Sequence, residues 1–214
     1  MRLVLLGPPG CGKGTQAAVL RDRFGIPHLS TGAMLRSAVE ADTEIGRRAA
    51  SIMSRGALVP DEVVQKIVAL RLGLEDCARG YILDGFPRTV AQADALEQML
   101  ERADQALDQV IEFTISEDEL VRRITGRYVC TKCDAVYNEH SKPTQRNNIC
   151  DVCGGTSFRR REDDRAETVA ERMAAYRAET APLVPYYGSR GLLTQIDGSQ
   201  STVKVTTALL GALS

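Results

Sequence analysis

The sequence predicts an α/β fold: a five-stranded parallel sheet flanked by helices, with two mobile lobes inserted into it. Two observations point there. Five short apolar runs, at residues 3–6, 25–29, 81–84, 110–115 and 192–196, are separated by stretches of helical pattern. Strands alternating with helices call for parallel pairing with both faces of the sheet covered. That alternation is broken twice, by short helical pieces between residues 30 and 67 and by a four-cysteine segment between residues 122 and 164. The expected organisation is a core of residues 1–29, 68–121 and 165–214, one lobe at 30–67 and a second at 122–164. A chain of 214 residues can bury a substantial core, and suits one domain with inserted lobes better than two independent domains.

The first run, Leu3-Val4-Leu5-Leu6, reads as a buried strand that breaks into Gly7-Pro8-Pro9-Gly10-Cys11-Gly12-Lys13-Gly14-Thr15 and then into a helix through Gln16–Leu20. Glycines let successive backbone N–H groups converge on one point, and the following helix adds the positive end of its dipole. Such a pocket suits a polyphosphate. Lys13 supplies a mobile positive charge for the outer phosphates and Thr15 a hydroxyl, so Gly-x4-Gly-Lys between strand and helix reads as a phosphate-binding loop. Its candidate contacts are Gly10, Cys11, Gly12, Lys13, Gly14 and Thr15. The general pattern places Ser or Thr directly after the lysine to hold Mg²⁺; here Gly14 intervenes.

The second run ends at Ser30-Thr31-Gly32, where Ser30 or Thr31 is placed to cap a helix through Ala33–Arg36. Gly46, Gly56 and Pro60 punctuate the small helices that follow, and Asp61 is expected to cap the next one. The third strand ends in Asp84, followed by Gly85-Phe86-Pro87-Arg88, and Thr89 caps a helix through Gln92, Leu96 and Leu100. Ligands of parallel sheets bind beyond the carboxyl ends of the strands. Gly7, Asp84 and the segment after Ile196 should therefore share one rim. An acidic residue there can hold the water shell of Mg²⁺ beside phosphates; the competing role for Asp84 is a turn cap for Gly85 and Phe86.

Cys130-x2-Cys133 and Cys150-x2-Cys153 form two Cys-x2-Cys turns. Four thiolates so spaced fit the tetrahedral coordination of a structural zinc, with an iron–sulfur cluster as the alternative occupant. Cys11 and Cys77 read as small apolar residues, His140 as a surface residue and His28 as part of a strand end. Arg122, Arg123 and Arg127 precede or enter the insert, and Arg159, Arg160, Arg161, Arg165 and Arg172 close or follow it. These are the places where a lid would hinge.

Hydrophobic content of 43% and charged content of 26% are those of a globular protein, and a formal net charge of −1 gives no general attraction to nucleic acid or anionic membrane. The N-terminal apolar run is cut at Gly7, and no stretch approaches a membrane span. A cytoplasmic location with reduced cysteines is expected.

The run from Gly7 to Gln16 resembles the phosphate loop of the adenylate kinases and their nucleoside-monophosphate kinase relatives, and Leu83-Asp-Gly-Phe-Pro-Arg-Thr89 resembles a second signature of that family. The likeness covers nearly the whole chain and is to the long-lid bacterial form with a cysteine-bound zinc. It implies a monomer that transfers a phosphoryl group from ATP, carried with Mg²⁺, to AMP, giving two ADP, and that holds a structural Zn²⁺ on Cys130, Cys133, Cys150 and Cys153. Asp84 would orient magnesium, and Arg123 and Arg127 would grip the ATP phosphates. Val136 and Tyr137 would contact ATP from the lid, and the backbone of Gln200 would contact adenine. Thr31, Arg36, Ala57, Leu58, Val59, Gly85, Phe86, Pro87, Arg88 and Gln92 would form the AMP site. Arg36 and Arg88 would hold the monophosphate, Arg161 and Arg172 would be catalytic arginines reaching the same site, and Phe86–Pro87 would be cis. The pyrimidine-specific relatives tend to carry Ala at the position of Thr31, which favours AMP. The family usually has Asp after Thr-Gly, where this chain has Ala33, a loss expected to weaken metal binding.

Phosphoryl transfer between nucleotides needs no nucleophilic side chain. Alignment and charge stabilisation suffice, with water excluded by a closing lid. Lys13, Mg²⁺ and several arginines supply that, in a chain with only two histidines. Within the class, the donor could be GTP or the acceptor UMP or CMP. Two readings lie outside it. A nucleotide-switched zinc-ribbon nucleic-acid binder would need aromatics exposed between basic residues. The insert offers only Tyr128, Tyr137 and Phe158, amid the acids Asp134, Glu139, Asp151, Glu162, Asp163 and Asp164. A structural protein with a vestigial nucleotide site would require silent kinetics despite the intact loop.

Overall fold

The computed structural model describes residues 1–213. Its main sheet consists of β1 (Arg2–Leu6), β2 (His28–Ser30), β3 (Tyr81–Asp84), β4 (Gln109–Thr114) and β8 (Leu193–Asp197). The order is β2-β3-β1-β4-β8, and every pairing is parallel. A second, antiparallel sheet contains β5 (Arg127–Cys130), β6 (Val136–Asn138) and β7 (Phe158–Arg159), with β5 in the middle. The helices are α1 (Lys13–Phe24), α2 (Thr31–Glu40), α3 (Glu44–Ser54), α4 (Asp61–Leu72), α5 (Val90–Arg102), α6 (Glu117–Thr125), α7 (Ala166–Ala175), α8 (Leu183–Gly188) and α9 (Thr202–Ala212), with a π-helical turn at Tyr176–Thr180 after α7. Among the described residues no helix is long and apolar enough to cross a membrane.

The five-stranded parallel sheet is as the alternation of strands and helices predicts. Side chains of β1 point alternately to its two faces. Leu3 and Leu5 join one apolar cluster with Ile82, Ile111 and Phe113, while Val4 and Leu6 join the other with Leu29, Leu83 and Val110. Leu3, Val4 and Leu5 are at most 1% exposed, which is the reason the run is continuously apolar rather than alternating.

Several local expectations are corrected. Helix α1 begins at Lys13, not Gln16, so the lysine is already helical. Strand β2 starts at His28, three residues later than expected, and β8 is shifted by one residue to Leu193–Asp197. Gly46 lies inside α3 rather than breaking it. A Cβ there would stand 2.0 Å from the Ala38 carbonyl oxygen, so the glycine lets α3 lie against the end of α2. Of the two expected candidates Ser30 and Thr31, it is Ser30 that caps α2, accepting a hydrogen bond from Ala33 N at 3.4 Å. Thr89 caps α5 as expected, accepting from Gln92 N at 3.1 Å. Asp61 is not a cap: Pro60 occupies that position, and Asp61 is the first residue of α4. Helix α4 itself continues to Leu72, across the lobe boundary expected at residue 67.

Candidate active site

Strand β1 delivers the chain to its carboxyl end beside β3, in a register that pairs Leu5 with Asp84. The loop after β1 therefore curls next to the end of β3. Gly10 has φ +83°, and a Cβ there would stand 2.6 Å from Ile124 Cγ1, so only glycine fits both the conformation and the space. Lys13 bends back over its own loop, donating from Nζ to the carbonyls of Gly7 (2.6 Å) and Pro8 (3.0 Å). Cys11 is buried under the loop.

Asp84 has a partner the sequence did not reveal. Nε2 of His28, on β2, lies 3.1 Å from Asp84 Oδ2. Burial works against ionisation of Asp84, but the His28 hydrogen bond and the charge of Lys13 outweigh it and hold the carboxyl below the ordinary range. Asp84 is an anion fixed at the strand-end rim.

Around this rim opens a cleft of about 1170 Å³, lined among others by Lys13, Asp84, Arg36, Arg88, Arg123, Arg127, Arg161 and Arg172. Its volume exceeds the range usual for one small ligand, roughly 300–1,000 Å³. The arginines converge from different parts of the chain. Burial, and next the charge of Arg172, push Arg88 below the ordinary arginine value. Burial and the charges of Arg127 and Arg36 push Arg161 down to about 9. Arg36 is also lowered, first by burial, with Asp163 opposing and Arg127 adding to the shift. A set of buried like charges is relieved by a polyanion between them. Two acids hold part of the set in place. Arg127 makes a bidentate pair with Asp164, 2.6 Å from Nε to Oδ2, and Arg172 bonds Asp163 Oδ2 and Asp164 Oδ1 at 2.9 Å each. Asp164, expected only to dilute the lid's charge, is 7% exposed and bridges these two arginines.

A smaller cavity, which shares Arg36, Arg88 and Arg172 with the main cleft, is lined by Thr31, Gly56, Ala57, Leu58, Val59, Gly85 and Gln92, among others. Thr31 Oγ1 donates to the Gly85 carbonyl at 2.7 Å, and Arg88 Nε donates to the same oxygen at 2.9 Å. The Phe86–Pro87 peptide bond is cis, and the Phe86 ring is fully buried in the core, leaving only its backbone for a ligand.

A family model described as adenylate kinase matches residues 5–192. The relatives include proteins named adenylate kinase from Rhizobium etli (51% identical over 214 residues), Paramagnetospirillum magneticum (51% over 213) and Caldicellulosiruptor bescii (47% over 213). Each alignment covers 100% of this chain and 98% or 99% of the relative. The chain belongs to the adenylate kinase family. It is a kinase acting on nucleotides, and its reaction is phosphoryl transfer between ATP and AMP.

The residues that the adenylate kinase resemblance singles out are spread over the main cleft and the smaller cavity, which takes Thr31, Ala57, Leu58, Val59, Gly85 and Gln92. Lys13, Asp84, Arg36, Arg88, Arg123, Arg127, Arg161, Arg172, Val136 and Gln200 all border the main cleft. Arg123 also donates to Glu119 Oε1 (2.9 Å) and to the Gly198 carbonyl (2.8 Å), both of residues that border the same cleft, which ties α6 to the segment carrying Gln200. Tyr137 differs from the simple expectation. It is 2% exposed, its ring stacks on Tyr128 at 5.6 Å, and its hydroxyl accepts from Asp151 N at 2.8 Å. Its side chain belongs to the lid interior, so it can meet a ligand only through its backbone. Asn138 was not anticipated either: buried at the end of β6, it donates from Nδ2 to the Arg123 carbonyl at 2.8 Å and accepts from His140 N and Ser141 N.

The sulfurs of Cys130, Cys133, Cys150 and Cys153 all lie within 4.8 Å of one another. Cys130–Cys153 and Cys133–Cys150 are each separated by 3.6 Å. Thiolates at about 2.3 Å from a tetrahedral metal stand roughly 3.8 Å apart, so this cluster could hold a metal ion. The Tyr137 hydroxyl lies 3.2 Å from Cys150 Sγ, a donor suited to a metal-bound thiolate.

Proposed function

We propose that the cleft seats MgATP on the phosphate loop and AMP in the smaller cavity, aligns the AMP phosphate with the γ-phosphorus, and so produces two ADP. The observation that carries this reading is the convergence of Lys13, an ionised Asp84 and six arginines on one cleft that shares Arg36, Arg88 and Arg172 with the Thr31–Gln92 cavity. In this reading Lys13 and the N–H groups of Gly10–Thr15 hold the β- and γ-phosphates. Arg123 and Arg127 brace them from the α6–β5 junction. Arg36 and Arg88 hold the AMP phosphate, and Arg161 and Arg172 face the group in transit. Asp84 would hold a magnesium ion through its water shell, and the ion would supply charge neutralisation on the phosphates. Gln92 meets the acceptor base, and the backbone at Gln200 the donor base.

Residues 30–67 then act as the acceptor lobe and 122–164 as the lid, closing over residues 1–29, 68–121 and 165–214 and excluding water. Arg159 Nη2 on β7 already reaches Glu40 Oε1 of α2 at 2.6 Å, a contact that joins the two lobes directly. Zn²⁺ on Cys130, Cys133, Cys150 and Cys153 would be structural, since all four positions are taken by protein. We take the working form to be a cytoplasmic monomer without affinity for nucleic acid.

A panel of nucleoside monophosphates with ATP or GTP as donor tests the assignment. AMP with ATP should give the highest kcat/KM, and a preference for UMP, CMP or GTP would overturn it. Arg88→Lys should lower kcat/KM for AMP by about 10–100-fold, because an ammonium cannot reproduce the planar fork on a phosphate. Wild-type parameters in that variant would remove Arg88 from the phosphate site. Gln92→Ala should raise KM for AMP by about tenfold, the worth of one well-made hydrogen bond, while KM for ATP holds. Equal changes for the two nucleotides would place Gln92 elsewhere.

A further inference from the structure

We infer that Asp61 is a positioning residue that fixes the orientation of the Gln92 carboxamide and thereby sets the selectivity of the acceptor site for adenine over 6-oxopurines. The inference rests on Gln92 meeting the acceptor base. Asp61 opens α4 and does not itself border the acceptor cavity, yet its carboxylate reaches across to α5. Oδ1 accepts from Gln92 Nε2 at 2.7 Å, and Oδ2 accepts from Thr89 Oγ1 at 2.7 Å. At the other end of the same amide, Gln92 Oε1 accepts from Arg88 N at 2.8 Å. Gln92 is 1% exposed, so these partners are not interchangeable with water.

The polarity of the two partners decides the amide's orientation. An ionised carboxylate can only accept, and a backbone N–H can only donate. Turning the amide over would set its oxygen against Asp61 and its NH₂ group against Arg88 N–H, leaving both buried groups mispaired. A carboxamide has two N–H donors and two acceptor lone pairs, and these contacts use one of each. One donor and one acceptor are left to meet a base in the cavity.

Adenine presents a donor at its 6-amino group and an acceptor at N1, the complement of that free pair. A 6-oxopurine presents an acceptor at position 6 and a donor at N1, and would be satisfied only by the overturned amide. Discrimination of this kind is strong because the wrong base leaves buried polar groups unpaired. Asp61 and the Arg88 N–H thus act as two locks on one orientation. Thr89 steadies the first lock: its hydroxyl donates to Asp61 while accepting from Gln92 N.

The test compares Asp61→Leu, which removes both acceptor oxygens while keeping the branch at Cγ, with Asp61→Asn, which keeps one acceptor for Gln92 and an amide that Thr89 can pair with. AMP and inosine monophosphate serve as acceptors at saturating ATP. Asp61→Leu should raise KM for AMP about tenfold, leave KM for ATP unchanged, and narrow the AMP-to-IMP ratio of kcat/KM about tenfold. Asp61→Asn should stay within about twofold of the wild type, a rescue that follows from the retained acceptor. In a Gln92→Ala background Asp61→Leu should change neither quantity further. If leucine prevents folding, Asp61→Ala carries the same readings. A folded variant with unchanged KM for AMP and an unchanged ratio overturns the proposal. So does an equal loss for ATP and AMP, or an effect undiminished in the Gln92→Ala background. If Gln92→Ala is itself silent, the acceptor-base reading has failed and this inference falls with it. A marked Gln92→Ala effect beside an inert Asp61→Leu overturns the inference alone.

Discussion

Lys13→Met should reduce kcat by about 10³-fold, the scale lost when one preorganised charge on a transferring phosphoryl group is removed. Methionine keeps the apolar stem of lysine and its helix propensity at the first position of α1. The hydrogen bonds from Nζ to the Gly7 and Pro8 carbonyls would be lost. Gly7 and Pro8 are buried, but Gly7 borders the cleft, so water can replace the ammonium at its carbonyl, and the two lost bonds should cost about 1–3 kcal/mol each. The fold should therefore survive, with little change in KM for AMP, since the acceptor cavity is lined by other residues. Steady-state kinetics in both directions, beside a thermal melt, check this. A folded Lys13→Met enzyme with turnover within tenfold of the wild type would remove the lysine from the mechanism.

The parts of the molecule legible in the sequence are those whose physics is local. The Leu3–Leu6 run had to be buried on both faces, and both apolar clusters draw on it. The phosphate loop was readable because glycine, lysine and the strand–helix context coincide within a few residues. The cysteine cluster was readable because two turns of fixed spacing force four sulfurs together. What stayed hidden depends on partners distant in the chain. His28 looks like a strand end until β2 pairs with β3 and brings it against Asp84, 56 residues away. Asp61 carries the signature of a helix cap, yet its contacts are with Thr89, which caps α5, and with Gln92 in its first turn, which no local pattern announces. Gly46 looked like a helix break because the approach of α2 that requires it is a tertiary fact. The arginine surplus was visible, but not which members are paired: Arg127 and Arg172 share Asp164.

That division matters for the chemistry. Arg36, Arg88 and Arg161 have values depressed chiefly by burial, with Arg172, Arg127 or Arg36 adding like-charge repulsion. Arg127, despite its burial, is held raised by its hydrogen bond and ion pair with Asp164. In the proposed site the first group would gain from an incoming phosphate, whereas Arg127 already has a counter-charge in Asp164. Binding energy from polyphosphate can then go into closing the lobes rather than into recruiting Arg127.

Removal of the metal proposed for the four-cysteine site should unfold or loosen residues 122–164 while leaving the core intact. The apolar cluster of the lid consists of Cys130, Tyr137 and Cys150, with Tyr128, Ala135, Cys153 and Phe158 only partly buried against it. Three short strands with so little apolar surface are too small to hold together alone. Four thiolates around one ion would supply the missing stability, because ligand binding to the folded form is folding free energy. The same segment carries two arginines that the proposed mechanism uses: Arg127 opens β5, and Arg161 follows β7. Chelation, or Cys130→Ala with Cys153→Ala, should lower the melting temperature by about 10 °C, equivalent to roughly 3–5 kcal/mol for a chain of this length. Some activity should persist at low temperature, since no metal-bound group would take part in the transfer. Metal analysis should return about one zinc per chain, the stoichiometry of a tetrahedral four-thiolate site. A reduced, metal-free protein with unchanged melting would show that the lid holds itself together. A metal-free enzyme that is fully folded and wholly inactive would make the ion catalytic, against the closed ligand set that the four cysteines provide.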